Sequence, residues 1–370
     1  MFRSIYAHFP FCESKCHYCD FYSLGKERTR SEDPLLFEKA LRVECSLISD
    51  KLDSELETLF FGGGTPSMTA FDSMARAIEP LWSRTQLGPD TEWTMEANPS
   101  SVDLTSLRQF RSLGVNRISM GMQALRPDLL TLLGRVHSQE QGLKALETLF
   151  EAGFENVSVD LLCGVPGQSL KDVEAALQTL CSFPIQHLSC YLLTLPGHHK
   201  MAKDLPDEDT QLSHLLFVDE WMVGQGFEHY EISNYAKPGR KSKHNLRYWQ
   251  GASYLGLGPS AHSYCSSTQQ RWKNFSSLHK YATSLIEEKK LPTEAKEKLT
   301  PRQIHLESWM LALRLSDGFP LQWLESATQR SRAKILESQG LLENHPADPQ
   351  RLRLTPRGFA LSDQIIAALS

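Results

Sequence analysis

Short apolar segments alternate with longer segments of helical periodicity between residues 4 and 193. Strands separated by helices in this way predict βαβ units and a parallel sheet. Six units fall short of the eight that close a full (β/α)8 barrel. The predicted fold class is therefore α/β, with a partial (β/α)6 TIM-like barrel. The predicted strands are Ser4–His8, Thr58–Phe61, Glu92–Ala97, Val115–Gly121, Val157–Leu162 and His187–Leu193.

Helices are predicted between these strands. The first begins at Asp33-Pro34 and should bury Leu36, Ala40, Val43 and Leu47, which recur at helical spacing. The other four are predicted over Phe71–Trp82, Leu104–Leu113, Ser138–Ala152 and Leu170–Leu180.

The pattern changes after Leu193. A helix is predicted over Thr210–Gly224, and the glycine-rich Leu255–His262 is expected to be a packed loop. Three further helices and a hairpin of residues 341–343 with Arg351–Leu354 resemble a small winged-helix fold; the helices are Gln303–Leu315, Leu321–Ala327 and Ser331–Gln339. We therefore predict three parts: residues 1–200 form the barrel, 201–298 an extension, and 299–370 a smaller C-terminal α+β, winged-helix-like domain.

Composition excludes several classes of function. A net charge of −5 offers no electrostatic surface for nucleic acid. No apolar run approaches the ~20 residues that span a bilayer, and no secretory signal is visible. The eight cysteines are clustered rather than paired, which favours a reducing compartment. We expect a cytoplasmic protein, and the sequence leaves open peripheral contact at the inner membrane and a homodimer.

Cys12, Cys16 and Cys19 form a C-x3-C-x2-C motif directly after the first predicted strand. A [4Fe-4S] cluster is normally held by cysteine thiolates, so three close thiolates would leave one iron free to bind a small chelating molecule. A zinc site with His17 or a distant cysteine as fourth ligand is an alternative, although no second cysteine pair follows. A redox disulfide is a further alternative.

Polar or glycine residues stand at the ends of five successive predicted strands. After the cysteines come Gly62–Thr65, then Glu96, Gln123 and Asp160. Ligands of parallel βα folds bind at the carboxyl ends of the strands. Each residue alone is more often a satisfied structural group, but together they predict one shared pocket.

The segments YAHFPFCESKCHYC, FFGGGTPS, MEANPS, RISMGMQ and DLLCGVPGQ resemble the radical S-adenosylmethionine (SAM) family of oxygen-independent coproporphyrinogen III dehydrogenase, or oxidase. The resemblance implies that Cys12, Cys16 and Cys19 ligate a [4Fe-4S] cluster whose reduction cleaves SAM to a 5'-deoxyadenosyl radical. It also implies two groups of SAM-site residues. Those in contact with SAM are Tyr6, Gly63, Gly64, Thr65 and Glu96, and those lining the same or an adjoining site are Tyr18, Gln123, Arg135 and Asp160.

Two departures distinguish this chain from the dehydrogenase. Phe21 replaces a fourth cysteine of that enzyme, and only eleven residues precede Cys12. The segment KHNLRYWQG instead resembles a signature of the haem chaperones in the same family. That resemblance implies haem contact through His244, Tyr248 and Trp249, with His229 and His262 as rival ligands. A purely structural motif is the alternative.

The leading hypothesis is a chaperone that binds haem and delivers it to apoproteins such as respiratory enzymes, with the cluster and SAM controlling conformation or assembly. The rival is the dehydrogenase, which converts propionate side chains to vinyl groups. Radical haem degradation or alkylation is a third candidate. Whether the chain is an enzyme stays open, although dehydrogenase activity is expected to be absent. We assign no cluster role to the remaining cysteines and expect them to be small buried apolar side chains: Cys45, Cys163, Cys181, Cys190 and Cys265.

Overall fold

The computed structural model describes all 370 residues and contains seventeen β-strands. In chain order they are β1 (Ser4–Phe9), β2 (Phe11–Cys12), β3 (Leu24–Gly25), β4 (Glu55–Gly63), β5 (Gln86–Ala97), β6 (Arg117–Gln123), β7 (Asn156–Cys163), β8 (His187–Leu192), β9 (Glu228–Glu231), β10 (Asn234–Ala236), β11 (Leu255–Leu257), β12 (His262–Cys265), β13 (Gln270–Asn274), β14 (Thr293–Lys298), β15 (Phe319–Pro320), β16 (Leu342–His345) and β17 (Asp348–Leu354).

Thirteen α-helices separate or flank these strands. They are α1 (Asp33–Ile48), α2 (Phe71–Ile78), α3 (Leu104–Leu113), α4 (Pro127–Leu133), α5 (Gln139–Glu151), α6 (Leu170–Cys181), α7 (Glu208–Gly224), α8 (Lys243–Trp249), α9 (Leu278–Ile286), α10 (Pro301–Ala312), α11 (Ala327–Ser338), α12 (Pro356–Ala360) and α13 (Ser362–Leu369). No helix is both long enough and apolar enough to span a bilayer.

The chain divides into two compact units, each made of two separate stretches. The first unit comprises Met1–Asp160 and Ala252–Lys298, and the second comprises Leu161–Gly251 and Leu299–Ser370. The three-part division proposed from the sequence stays a prediction.

The first unit is built on a parallel sheet. Its strand order is β11-β1-β4-β5-β6, followed by the start of β7. Neighbouring strands from β11 to β6 pair in parallel, with Ile5 opposite Leu59 in β4. All six predicted strands are present, five of them beginning in this unit and the sixth, β8, lying in the second unit, so the alternation of apolar and helical segments predicted them correctly.

Aromatic side chains pack between α1 and the carboxyl ends of β1 and β4. Phe9 lies 5.0 Å from Phe61 and 5.5 Å from Phe37 of α1, measured between ring centroids. Phe61 also contacts Trp93 at 5.2 Å. Their burial removes a large apolar area from water, which stabilises the strand that leads into the cysteine loop.

The predicted packed loop at Leu255–His262 is wrong. Residues 255–257 form β11, which pairs in parallel with β1, and His262 begins β12. The glycines that suggested a loop allow close backbone approach, since a Cβ on Gly256 would lie 2.1 Å from the His262 carbonyl oxygen. A Cβ on Gly258 would lie 2.3 Å from the carbonyl oxygen of His8.

The predicted buried face of α1 is only partly correct: Ala40 is buried as expected, but the face is otherwise shifted by about one residue. Phe37, Leu41 and Ile48 are buried, whereas Leu47 is 41% exposed. Glu44 shares the buried face because it accepts hydrogen bonds from the Gly258 amide, the Asn274 amide and the Tyr281 hydroxyl. A buried carboxylate with three donors cannot be recognised from apolar periodicity alone.

In the second unit, β8, β10 and β9 lie side by side in antiparallel pairing. A separate three-stranded sheet, β15-β17-β16, contains the predicted C-terminal hairpin. Its core includes Trp309, Phe319, Leu352 and Leu369. The helix predicted over Leu321–Ala327 is wrong, because residues 321–323 form a single 3-10 turn. The helix predicted over Ser331–Gln339 is present as α11, but it begins earlier, at Ala327, because Ser326 caps it.

Candidate functional site

The three cysteines of the C-x3-C-x2-C motif follow β1, with Cys12 at the end of the short β2 and Cys16 and Cys19 in the loop after it, and their side chains are half-buried. Burial raises the pKa of Cys12 and Cys19, and the neighbouring Cys16 raises both further. Thiols that destabilise each other's ionised form in this way lie close together. A bound cationic cluster of iron would relieve that repulsion, so the donor set fits an iron–sulfur cluster.

The alternative zinc site finds less support in the loop. His17, its proposed fourth ligand, is exposed, and its Nδ1 lies 2.9 Å from the Leu132 carbonyl oxygen. A zinc site would need the three thiolates and a fourth ligand around one position, whereas in a cubane each thiolate ligates a different iron atom.

The cysteine loop is fastened to the segment that follows α4. The His17 amide donates to the Leu133 carbonyl at 3.1 Å, and Gly134 adopts a left-handed φ of 74°. A Cβ on Gly134 would lie 3.1 Å from the His17 ring, which explains the small residue. The turn places Arg135 against the loop.

A continuous chain of hydrogen bonds joins Cys16 to Cys12. Arg135 donates to the Cys16 sulfur at 3.4 Å and to Asn98 Oδ1 at 2.7 Å. Asn98 Nδ2 donates to the Thr65 hydroxyl at 2.8 Å, and that hydroxyl donates to the Cys12 sulfur at 3.6 Å. The hydrogen bonds link the ends of β4 and β5 and the turn after α4 to two of the thiols, and such partners fix ligand orientation.

The glycine run after β4 packs against the strand that leads to the cysteines. The Gly64 amide donates to the Phe9 carbonyl and the Thr65 amide to the Phe11 carbonyl, both at 2.7 Å. Gly63 has a φ of 106° and donates its amide to Glu96 Oε2 at 3.0 Å. These three amides already donate hydrogen bonds within the protein. A ligand could therefore hydrogen-bond only to the carbonyl groups of the glycine run, which it can approach closely because glycine has no side chain.

Two carboxylates, Glu96 and Asp160, face the same region. Burial, followed by the charge of Asp160, raises the pKa of Glu96 to about 8. Asp160 accepts a hydrogen bond from the Ser119 hydroxyl at 3.1 Å. Carboxylates at such positions can accept hydrogen bonds from ligand hydroxyl or ammonium groups.

Gln123 ends β6 in a strained conformation, with a φ of 68° that non-glycine residues rarely adopt. A Cβ on Gly121 would lie 2.9 Å from Gln123 Nε2, 3.3 Å from Asn98 Oδ1 and 3.5 Å from Arg135 Nη2. Three polar side chains therefore gather over this glycine. Residues held in such conformations cluster at functional sites.

Two tyrosines complete the group. The Tyr6 hydroxyl lies 3.1 Å from His8 Nδ1, and His8 Nε2 lies 2.7 Å from the Tyr22 carbonyl, so Nε2 carries the proton. Burial lowers the pKa of His8 to about 4. Burial and the nearby Cys16 raise the pKa of Tyr18, which also interacts with Arg135.

All the residues proposed for the cluster and SAM lie in the first unit, most of them at or after the carboxyl ends of its strands, whereas Tyr6 lies within β1 and Arg135 follows α4. The sequence reasoning missed Asn98 and His8. Asn98 could have been found, because it directly follows the strand that ends in Glu96 and Ala97. His8 carried no such signal, since it lies within an apolar strand.

The residues proposed for haem lie in the second unit, on α8. His244 is 0% exposed, and its Nε2 lies 2.8 Å from the Tyr248 hydroxyl. Trp249 is half-buried and hydrogen-bonds Glu231, whose pKa burial raises to about 7. In this conformation His244 has a structural contact, whereas Tyr248 and Trp249 are partly accessible.

The rival histidines differ from each other. His229 Nδ1 lies 2.7 Å from Asp219, and its ring stacks on Tyr235 at 4.3 Å. His262 is exposed, and burial together with Lys273 and Arg271 lowers its pKa.

Comparison with known proteins agrees with this geometry. Residues 6–180 match the model of the Radical SAM superfamily. The chain is 34% identical to the haem chaperone HemW of Mycobacterium tuberculosis, over 99% of this chain and 94% of that protein. It is 33% identical to HemW of Bacillus subtilis, over 99% and 98%.

The solved structure of coproporphyrinogen III oxidase (HemN) from Escherichia coli, described as a radical SAM enzyme, matches with a TM-score of 0.82. The match covers 99% of this chain and 89% of that one at 22% identity, so it shows the fold alone. The fold class predicted from the sequence, a partial barrel with a smaller C-terminal domain, is confirmed. The chain belongs to the family of the haem chaperone HemW within the radical SAM superfamily.

Proposed function

We propose that this protein is a haem chaperone that binds haem and delivers it to apoproteins such as respiratory enzymes. The observation that carries the proposal is similarity to HemW proteins over nearly the whole chain, including the second unit. Phe21, 66% exposed where the dehydrogenase has a cysteine, supports the same assignment.

The proposal includes a [4Fe-4S] cluster held by Cys12, Cys16 and Cys19, with SAM beside it. When bound, this pair supplies one-electron chemistry at the sulfonium of SAM. Arg135 and Thr65 donate hydrogen bonds to the sulfurs of Cys16 and Cys12, which would orient these two ligands. Glu96 stands where it can accept hydrogen bonds from ribose hydroxyls, and Gln123 and Asp160 where they can orient polar ligand groups.

For haem, the proposal assigns contact to α8. The partly exposed rings of Tyr248 and Trp249 offer flat surfaces against which a macrocycle can lie. His244 could reach haem iron only after its hydrogen bond to Tyr248 breaks. A His244→Ala variant that retains full haem affinity would remove this residue from the site and leave the chaperone assignment intact.

One anaerobic experiment tests the proposal. Protein reconstituted with iron and sulfide is given haem, SAM and an apo-haemoprotein, and haem transfer is followed spectroscopically. The chaperone proposal expects stable haem binding and transfer to the acceptor, with Trp249→Ala weakening binding. The matched control Trp82→Ala, in the first unit, should leave haem affinity unchanged.

The dehydrogenase remains the second candidate because the cysteine loop and its hydrogen-bonded surroundings are complete. The same protein incubated with coproporphyrinogen III, SAM and a reductant decides between them. Formation of protoporphyrinogen with consumption of SAM would overturn the chaperone proposal. Haem transfer without such turnover would exclude the dehydrogenase.

A further inference from the structure

A cavity of about 230 Å³ lies in the first unit, lined by residues to which nothing above assigns a role. Its floor is apolar, formed by Phe2, Leu291 and Trp272, and the rings of Phe2 and Trp272 meet edge to face at 6.1 Å. Cys265, Lys51 and Lys296 line the same cavity. One space therefore combines a thiol, two cations and an aromatic surface.

The three-stranded sheet β12-β13-β14 explains why these side chains share one face. Cys265 stands opposite Gln270, and Trp272 stands opposite Lys296. Residues two apart along a strand point to the same side. The side chains of Gln270 and Trp272 therefore lie on one face of the sheet, together with those of their cross-strand partners Cys265 and Lys296.

Carboxylates of β14 do not neutralise the two lysines. Glu297 pairs with Arg271 at 3.0 Å, and Glu294 pairs with Lys273 at 3.3 Å. Burial, followed by the nearby charge of Lys296, lowers the pKa of Lys51 against a smaller opposing effect of Glu44, consistent with repulsion between the charges of Lys51 and Lys296. An anion bound between them would relieve that repulsion.

Cys265 does not behave as the buried apolar side chain expected from the sequence; it is half-exposed. Its sulfur lies 3.3 Å from the Ser267 hydroxyl. Burial raises the pKa of Cys265, but hydrogen bonds from Ser267 and Thr268 outweigh this effect, so that the pKa is lowered on balance. By contrast, burial raises the pKa of the half-exposed Cys181. Reactive cysteines are those with accessible, stabilised thiolates.

We propose that this cavity binds anionic low-molecular-weight disulfides and that Cys265 is thiolated there. The Cys265 thiolate attacks one sulfur of the disulfide, a new S–S bond forms, and the original S–S bond breaks. The released half leaves as a thiolate and takes a proton from water. The disulfide is the oxidant, so no other electron acceptor is needed. The volume of the cavity is smaller than the ~300–1,000 Å³ of sites that bind drug-sized ligands. A cavity of this size suits one half of a small disulfide.

The experiment compares two reagents on the full, cluster-loaded protein. The dianionic 5,5'-dithiobis(2-nitrobenzoate) and the neutral 4,4'-dithiodipyridine are added for fixed times, and each cysteine is quantified by peptide mass spectrometry. Cys265 should be thiolated before Cys181 with both reagents. A Lys51→Gln/Lys296→Gln variant should slow the anionic reagent about tenfold while changing the neutral one less than about twofold.

Arg271→Gln/Lys273→Gln is the matched control, because it removes the same number of charges from the opposite face of the same sheet, outside the cavity; it should leave both rates unchanged. If the double variant unfolds, the parent protein still tests the proposal. About 1 M salt should slow thiolation of Cys265 by the anionic reagent and leave the rate with the neutral reagent unchanged. Faster thiolation of Cys181, or equal slowing of both reagents in the double variant, would overturn the proposal.

Discussion

Replacing Asn98 by alanine removes the central link in the chain of hydrogen bonds between Cys16 and Cys12. Two bonds are lost, one from the charged Arg135 and one to the Thr65 hydroxyl. Bonds to charged groups contribute about 1.5–3 kcal/mol and neutral ones about 1 kcal/mol, so the sum is about 3 kcal/mol. Arg135 keeps its bonds to Cys16 and Gly121, and water can reach this half-buried site. We therefore expect a loss of about 2 kcal/mol in the free energy of unfolding.

The assay has two readouts, urea unfolding of the cluster-free protein and the rate of cluster loss to a chelator. Asn116 provides a matched control. It also makes two hydrogen bonds, accepting from the Trp93 amide at 2.9 Å and donating to the Thr91 carbonyl at 2.7 Å. Asn116→Ala should lower stability by a similar amount without affecting the cluster. Asn98→Ala should accelerate cluster loss about tenfold or more, as outer partners of metal ligands do.

The reasoning would be refuted if both variants lost the cluster at the same rate. That result would mean that general stability, and not the orientation of Arg135 and Thr65, controls retention. A double-mutant cycle between Asn98→Ala and Thr65→Val adds a check. Their coupling should be about 1 kcal/mol, because each substitution removes the same bond.

Three further predictions concern the same region. Arg135→Gln removes a donor to a ligating sulfur and should shift the midpoint potential of the cluster to more negative values, measurable by redox titration. Because the pKa of Glu96 is raised to about 8, the folded protein holds this proton more tightly than the unfolded chain. Its contribution to stability is present in full below about pH 4.5 and lost as the pH rises through about 8. Glu96→Gln should flatten that fall in urea midpoints between pH 5 and 9, and an unchanged slope would contradict the assignment. Gly63→Ala should destabilise the fold by about 2 kcal/mol or more, since φ is 106° and the new Cβ would lie 2.4 Å from the His8 ring. Gly197→Ala, which meets nothing within 4 Å, is the control for thermal unfolding.

The six strands were predictable because strands buried on both faces read as apolar runs separated by helical periodicity. The strand at Leu255–Leu257 was not, because only three residues pair and glycines on either side of Leu257 look like loop signals. The buried face of α1 could not be predicted fully because it includes the charged residue Glu44. The three hydrogen-bond donors that satisfy Glu44 come from residues more than 200 positions away.

The site could be predicted from the positions of polar residues at strand ends, since parallel strands bring those ends to one edge. The links between them could not. The contact between Arg135 and Cys16 depends on the left-handed turn at Gly134, and the exposure of Cys265 depends on a sheet whose pairing no local pattern revealed. Both are products of tertiary packing.

The pairing of β11 with β1 has a consequence for how the protein is made. The ribosome releases β1, which leads to the cysteines, early, but its neighbour at residues 255–257 appears about 250 residues later. Until then one edge of β1 offers unpaired amides and carbonyls, the kind of edge on which chains stick to one another. A nascent chain halted before residue 255 should therefore aggregate more readily than one halted after residue 298, and metal insertion before that point would act on an unfinished scaffold.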